Sequence, residues 1–284
     1  MPNLIHESTG LKIVKNDVNR MCVVTLHYTA DPVKRTKEWR AEASAGMRSA
    51  QWAKEYEIDY TALYGQRVFP EIVEARDKIV IQEPYPEYGP LQPFWAGFDF
   101  GQRNPTAFVV FTIDEGVLTA VWEHYEPTTS PQALCQAIIG CPYYDQIRYI
   151  AADPTITQMR TRTNQAGVFV SLAELMRDFG IKKPIIPGST DETTWLTIMK
   201  QHWKNLDDPT FRIRGCCPNM IEEFTNAVYA SQSDREILTQ TYKEKLEDVR
   251  NHAMDATKYL MLTRPTVHAR RHNADNQVWR KWIK

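Results

Sequence analysis

Three acids in this sequence stand where an acid is costly. Asp99 lies in FWAGFDF (94–100), a strand-like run in which alternation sets Phe98 and Phe100 on one face and Asp99 on the other. Asp153 ends YIAAD (149–153), a second short apolar run. Asp255 lies in NHAMDATKYLML (251–262), where helical spacing gathers Asn251, His252, Asp255, Tyr259 and Leu262 on one side, with Asp248 seven residues back on that side too. A carboxylate among apolar neighbours loses hydration unless a cation or donor meets it. If the two strands are central and adjacent, Asp99 and Asp153 meet at one sheet edge, where a bound metal resolves their mutual repulsion. Three carboxylates on two strands and a helix suit a hard divalent cation, since Mg²⁺ takes carboxylate oxygens, waters and substrate phosphate. Two such ions activate a water and stabilise the leaving 3′ oxygen in an in-line attack on a phosphodiester. Singly, each acid is more often a capped or ion-paired residue than a ligand; it is the trio together that suits metal chemistry.

Groups suited to phosphate surround these acids. Arg103 follows the first acidic strand in a loop, and Arg160 and Arg162 lie in QMRTR (158–162) behind the second. Guanidinium groups are good phosphate partners, although a solvated charge run has the same composition. His252, one turn before Asp255, is placed to orient a water or a phosphate, or to sit as a near-core histidine. Lys258, three residues after Asp255, either contacts DNA phosphate or pairs with that acid.

The elements that must position these groups are legible in outline. Phe94–Phe100, Thr106–Ile113 and Val117–Tyr125 read as strands, the last two joined by a turn in which Gly116 supplies positive φ. Ser130 caps a helix to about Ile139, with Pro131 in its first turn. Tyr149–Asp153 is a strand, Ser171 caps a helix over Leu172–Phe179 that Gly180 stops, and Pro184–Pro187 is a short strand or edge. Further helices are expected over Glu192–Lys204, Asn219–Ser231 and Val249–Leu262. Three meandering strands followed by alternating helices and strands predict an α/β mixed sheet with helices on both faces. Upstream, Leu11–Val14 and Cys22–Tyr28 suggest a hairpin, and residues 30–60 two helices broken near Gly46 and Ser49. That is a poor core by itself, so this part is expected to lean on something else. Gln82–Gln92 (QEPYPEYGPLQ) has three prolines and a glycine and reads as an extended linker. The division is thus 1–81, a small α+β N-terminal extension; 82–92, a linker; 93–263, the main domain; and 264–284, a tail.

The 284 residues carry 34 Lys plus Arg against 35 Asp plus Glu, a net charge of −1, which excludes a polycationic nucleic-acid arm but not an enzyme with a local basic patch. No apolar run approaches a membrane span, and MPNLIHESTG lacks a signal-peptide pattern, so no membrane partner is expected. Five cysteines, without a Cys-x-x-Cys pair, disfavour a disulfide framework or zinc ribbon and suit a reducing cytosol. The tail sets Arg264, Arg270, Arg271, Arg280, Lys281 and Lys284 against Asp275, with Trp279 and Trp282 as aromatic anchors. It reads as a basic arm or as a docking segment.

The trio and its surroundings resemble the nuclease domain of tailed-bacteriophage large terminases, the DNA-packaging motors that also cut the concatemer. The matching stretches are GFDFGQRNPTAFVVF (97–111), YIAADP (149–154) and NHAMDATKYLML (251–262), and the resemblance covers about residues 94–263. It implies an RNase H-like fold in which Asp99, Asp153 and Asp255 are catalytic and hold Mg²⁺ or Mn²⁺, one ion or two. It implies a metal-dependent endonuclease that cuts concatemeric double-stranded DNA by two-metal-ion hydrolysis, without a covalent enzyme intermediate. CVVTLHYTADP (22–32), EWRAEASAGM (38–47), AKEYEIDY (53–60) and GQRVFPEI (65–72) resemble the stretch joining a terminase ATPase domain to its nuclease. The implied partners are double-stranded DNA, a portal protein, a small terminase subunit and a separate ATPase part, and the implied location is the cytoplasm of an infected bacterial host.

Two departures matter. No G-x-x-x-x-G-K-[ST] occurs, so ATP hydrolysis is not expected of this chain. Where many members carry a further acid after the first, this chain has Gln102-Arg103-Asn104, which leaves Asp248 and Glu123 as candidate substitutes at a second ion. Two rival readings remain: a non-catalytic DNA-binding or portal-docking module, and another RNase H-like nuclease of resolvase or transposase type.

Overall fold

The structure is a computed structural model that describes residues 2–16, 22–47, 52–53, 55–58, 66–101, 104–128, 130–159, 162–164, 166–231 and 245–265. The chain divides into two compact units, residues 1–66 with 228–244 and residues 67–227 with 245–284.

In the smaller unit, β1 (Pro2–Ser8), β2 (Leu11–Asn16) and β3 (Cys22–Leu26) form an antiparallel sheet, so the expected hairpin gains a third strand. Helix α1 (Lys37–Ala43) follows, its first turn closed by the Thr36 hydroxyl on the Trp39 amide. Tyr28, Trp39, Trp52 and Tyr56 pack ring to ring, and Glu57 accepts from the Trp52 indole at 2.8 Å.

The larger unit contains, in chain order, α2 (Glu71–Glu74), α3 (Arg76–Ile79), β4 (Val80–Ile81), β5 (Phe94–Asp99), β6 (Pro105–Asp114), β7 (Val117–Pro127), α4 (Pro131–Ile139), β8 (Ile147–Ala152), α5 (Pro154–Gln158), β9 (Arg162–Thr163), β10 (Phe169–Val170), α6 (Leu172–Asp178), β11 (Ile185–Pro187), α7 (Glu192–His202), β12 (Phe211–Arg214), α8 (Pro218–Asn226) and α9 (His252–Leu262). Its seven-stranded sheet runs β11-β8-β5-β6-β7-β12-β4. Only β6 opposes the others; β11, β8 and β5 pair in parallel, as do β7, β12 and β4. The carboxyl ends of six strands therefore lie along one edge.

Local signals produce these elements. Ser130 caps α4 with Pro131 in its first turn, and Ser171 with Glu174 forms a capping box on α6, which Gly180 ends at φ 100°. The β6–β7 turn takes positive φ at Glu115 and Gly116. Alternation then assigns the faces. Phe94, Ala96 and Phe98 join Phe108, Leu134, Ile138, Leu172 and Met176 in the core beneath α4 and α6. On the other face, Phe69, Trp195, Trp203, Phe211 and Phe224 form an aromatic cluster under α7 and α8.

Three differences from the sequence reading have physical causes. Residues 67–81, grouped above with the N-terminal extension, pack in the larger unit, and β4 is its edge strand. β12 was not anticipated, because Phe-Arg-Ile-Arg is too short and too charged to signal a strand. Gln82–Gln92 is extended but tethered: Arg214 lies 4.7 Å over Tyr85 and 4.8 Å over Tyr88, and donates to the Pro86 carbonyl at 2.6 Å.

Helix α9 lies across β5, β6 and β8. Its approach is so close that a Cβ on Gly97 would collide with the Ala256 carbonyl, and one on Gly188 would meet the Tyr259 Cβ at 2.6 Å. Gly97→Ala is therefore expected to destabilise the larger unit by about 1–3 kcal/mol through forced separation of helix and sheet. Urea unfolding measures this, and an unchanged midpoint would mean that α9 has slack there.

Candidate functional site

The parallel pairing of β5 with β8 sets Phe98 opposite Ala152. The next residues, Asp99 and Asp153, therefore leave the sheet side by side at its carboxyl edge. Alternation turns Asp99 to the face of Gly97, the face on which α9 sits. Asp153 lies just past β8 and caps α5, accepting from the Thr155 amide at 2.7 Å and from the Thr155 hydroxyl. Asp255 stands in the first turn of α9.

Each carboxylate is met by a partner on α9. The His252 imidazole is 2.9 Å from Asp99 Oδ2 through Nδ1. The Tyr259 hydroxyl donates to Asp153 Oδ2 at 2.9 Å. Lys258 donates to Asp255 Oδ1 at 2.5 Å, and the Asn251 amide reaches Asp255 Oδ2 at 3.4 Å. Burial pushes Asp255 above the ordinary carboxylate range; Lys258 opposes that, while the negative charges of Asp99 and Glu192 add to it. The Tyr259 phenol is raised by burial first, then by the negative charges of Asp255, Asp99 and Asp153 together. The phenol thus stands within electrostatic reach of all three acids and in contact with Asp153.

Other candidate residues fall differently. Asp248 is exposed in a loop, because α9 begins only at His252 after a positive φ at Arg250; the helical continuation that put Asp248 on the Asp255 side does not exist. Glu123 is engaged as a helix cap: it accepts from the Asn219 amide at 2.8 Å, the Asn219 side chain at 2.8 Å and the Met220 amide at 3.0 Å. Lys258 is 7% exposed and held by Asp255, so the ion-pair alternative is the one the structure adopts. Arg162 lies 4.6 Å over the Phe100 ring, next to Asp99. Arg103, Arg160 and tail residues 266–284 lie outside the described residues.

Among the described residues, no three His, Cys, Asp or Glu side chains are gathered tightly enough to hold a metal as they stand. Each acid instead has a protein partner on α9 or α5. The chemistry of the set, three carboxylates, is nonetheless that of the ligands a hard divalent cation takes. Sequence reasoning placed Tyr259 on the correct helical side without giving it a role. It also missed Glu223, a buried carboxylate that bonds the first turn of α9. Nothing in EEFTN distinguishes this glutamate from its exposed neighbour Glu222 except helical phase.

No protein-family model matches this chain, and no curated protein matches it in sequence. Solved structures do. The large terminase of a thermophilic bacteriophage superposes with a TM-score of 0.54 at 17% identity, covering 83% of this chain and 53% of that one. The nuclease domain of the P22 large terminase gives a TM-score of 0.50 at 15% identity, covering 71% of this chain and 94% of that domain. The α/β sheet is the RNase H-like fold of terminase nucleases. The chain spans about half the length of the thermophilic phage terminase it matches.

The His252–Asp99 pair carries a pH signature. The hydrogen bond His252 donates to Asp99 is the largest influence and raises His252 above its ordinary 6.5, against burial. The folded state then binds this proton more tightly than the unfolded chain does. The resulting stability is fully present below about pH 6.5 and is lost as pH rises through the folded value. His252→Asn should flatten that decline in urea midpoints measured from pH 5.5 to 8.5; parallel curves for the two proteins would refute this account.

Proposed function

We propose that this chain is the nuclease part of a phage DNA-packaging terminase, an endonuclease that cuts concatemeric double-stranded DNA with little sequence preference. The observation that carries the reading is the β5–β8 register, which delivers Asp99 and Asp153 side by side to the edge over which α9 brings Asp255. The likeness in fold to the thermophilic phage and P22 proteins supports the same reading. Asp99, Asp153 and Asp255 would hold Mg²⁺ or Mn²⁺, one ion or two, which when bound supplies Lewis-acid polarisation of the phosphodiester and a more acidic water.

The chain's own residues prepare that site. Thr155 and Tyr259 each engage one oxygen of Asp153 and so set its plane. His252 holds Asp99 from the opposite element. Lys258 offsets the charge of Asp255, so three acids can stand together in a folded protein without a cation. Arg162, which packs on the Phe100 ring, is proposed as a phosphate contact, and Arg103 and Arg160 are proposed for the same role from sequence alone. The portal protein, small terminase subunit and separate ATPase part are proposed partners by resemblance, with the infected host cytoplasm as the location. No helix among the described residues is long and apolar enough to cross a membrane.

A second reading, a DNA-binding or portal-docking module without chemistry, is favoured by one observation: every acid already has a protein partner. Digestion of supercoiled plasmid with Mn²⁺, Mg²⁺ or EDTA separates the two. Metal-dependent nicking and linearisation are expected, with Asp99→Asn and Asp255→Asn each lowering the rate by more than about 100-fold, since groups that merely orient metal ligands already cost about 10–100-fold. No cutting by folded wild type with any metal would establish the binding module instead. Cutting that survives both substitutions would place the site elsewhere, and preference for four-way junctions over linear duplex would favour a resolvase. DNA binding should weaken steeply with salt, because phosphate contacts dominate it.

A further inference from the structure

Helix α9 carries His252, Asp255, Lys258 and Tyr259, yet its own sequence does not finish its N-terminus. Asn251 stands at the cap position and makes no capping bond with its side chain, which turns to Asp255 instead. The free amides of a first turn need acceptors, above all when buried. Here one of them is met from another helix. Glu223 of α8, 5% exposed, accepts from the Met254 amide at 2.9 Å through Oε2. Its other oxygen accepts from the Tyr125 hydroxyl of β7 at 2.6 Å.

The same device recurs one step earlier. Glu123, two residues before Tyr125 on β7, accepts the Asn219 and Met220 amides in the first turn of α8. β7 thus anchors the start of α8, and α8 with β7 anchors the start of α9. Glu223 is an unusual choice for a purely structural cap. Burial lifts its carboxyl to about 7, and the hydrogen bonds from the Tyr125 hydroxyl and the Met254 amide work against that lift. An apolar side chain here would leave those donors unpaired. The turn it grips is the one that aims His252 at Asp99 and carries Asp255. The Tyr125 ring also lies 6.3 Å from the His252 ring, so β7 meets this turn twice.

We infer that Glu223, anchored by Tyr125, is a positioning residue for the acid cluster: its grip on the Met254 amide in the first turn of α9 sets where Asp255 and His252 stand relative to Asp99. This inference rests on the reading of Asp99, Asp153 and Asp255 as metal ligands. Tyr125→Phe removes only the anchoring hydroxyl. Glu223→Gln keeps an acceptor for the Met254 amide and offers its own NH₂ to the Tyr125 oxygen. Glu223→Ala removes both bonds.

The test uses the full chain without DNA and reads two quantities. One is amide hydrogen exchange over residues 252–262; the other is Mn²⁺ affinity by calorimetry. Glu223→Ala should speed exchange in the first turn of α9 and weaken Mn²⁺ binding by about 10–100-fold, the range for losing a group that orients metal ligands. Exchange in β5 and β8 should be unchanged. Glu223→Gln should recover most of the affinity, and Tyr125→Phe should fall between. If Glu223→Ala does not fold, Tyr125→Phe against wild type decides the matter. Wild-type affinity and wild-type exchange in a folded variant would overturn the inference. If wild type itself binds no Mn²⁺, the metal reading falls, while faster exchange confined to the first turn of α9 would still uphold the grip of Glu223 on that turn.

Discussion

The close seating of α9 on the sheet is the constraint from which the rest of the larger unit follows. A helix that approaches a strand until backbone meets backbone requires a residue without a side chain at the point of contact. Gly97 meets that need against Ala256, and Gly188 meets it against Tyr259. Because Asp99 is two residues beyond Gly97, the same alternation that clears the way for α9 also turns Asp99 towards it. One close approach thus brings His252 within bonding distance of Asp99 and lets Tyr259 reach across to Asp153. Any residue that lifted the helix would separate all of these groups together.

Electrostatics around the edge follows from that packing. Three carboxylates on facing elements repel one another, and the fold answers with one partner apiece: an imidazole, a phenol and an ammonium, all from α9. The helix is at once a source of negative charge and its compensation. Each of the three acids is held by a protein donor on that helix.

Two glutamates, Glu223 buried and Glu123 partly so, extend this order outward. Glu123 and Glu223 each commit a carboxylate to the opening turn of a helix, and both are tied to β7, directly or through Tyr125. From sequence, Glu123 has the look of a spare metal ligand, because a carboxylate near the end of a strand advertises the same chemistry whether it faces a cation or an amide. Only the direction of its side chain separates the two uses, and that direction depends on where α8 begins.

Local information in the chain determined a good deal: the caps at Ser130 and Ser171, the turn at Gly116, the alternation that splits Phe98 from Asp99, and the three acids as the residues worth attention. These follow from interactions within a few positions, which any segment carries with it. The tertiary structure alone decided what those acids touch. The pairing of Phe98 with Ala152, the late start of α9 that strands Asp248 in a loop, the capture of Lys258 by Asp255 and the reach of Glu223 to Met254 all depend on how separate segments settle against one another. Short strands such as β4 and β12 likewise exist only through their neighbours, since two or four residues cannot signal a strand by periodicity. Sequence sets the chemistry available at each position, whereas strand register and helix seating, which are global solutions to burial, set which chemistries meet.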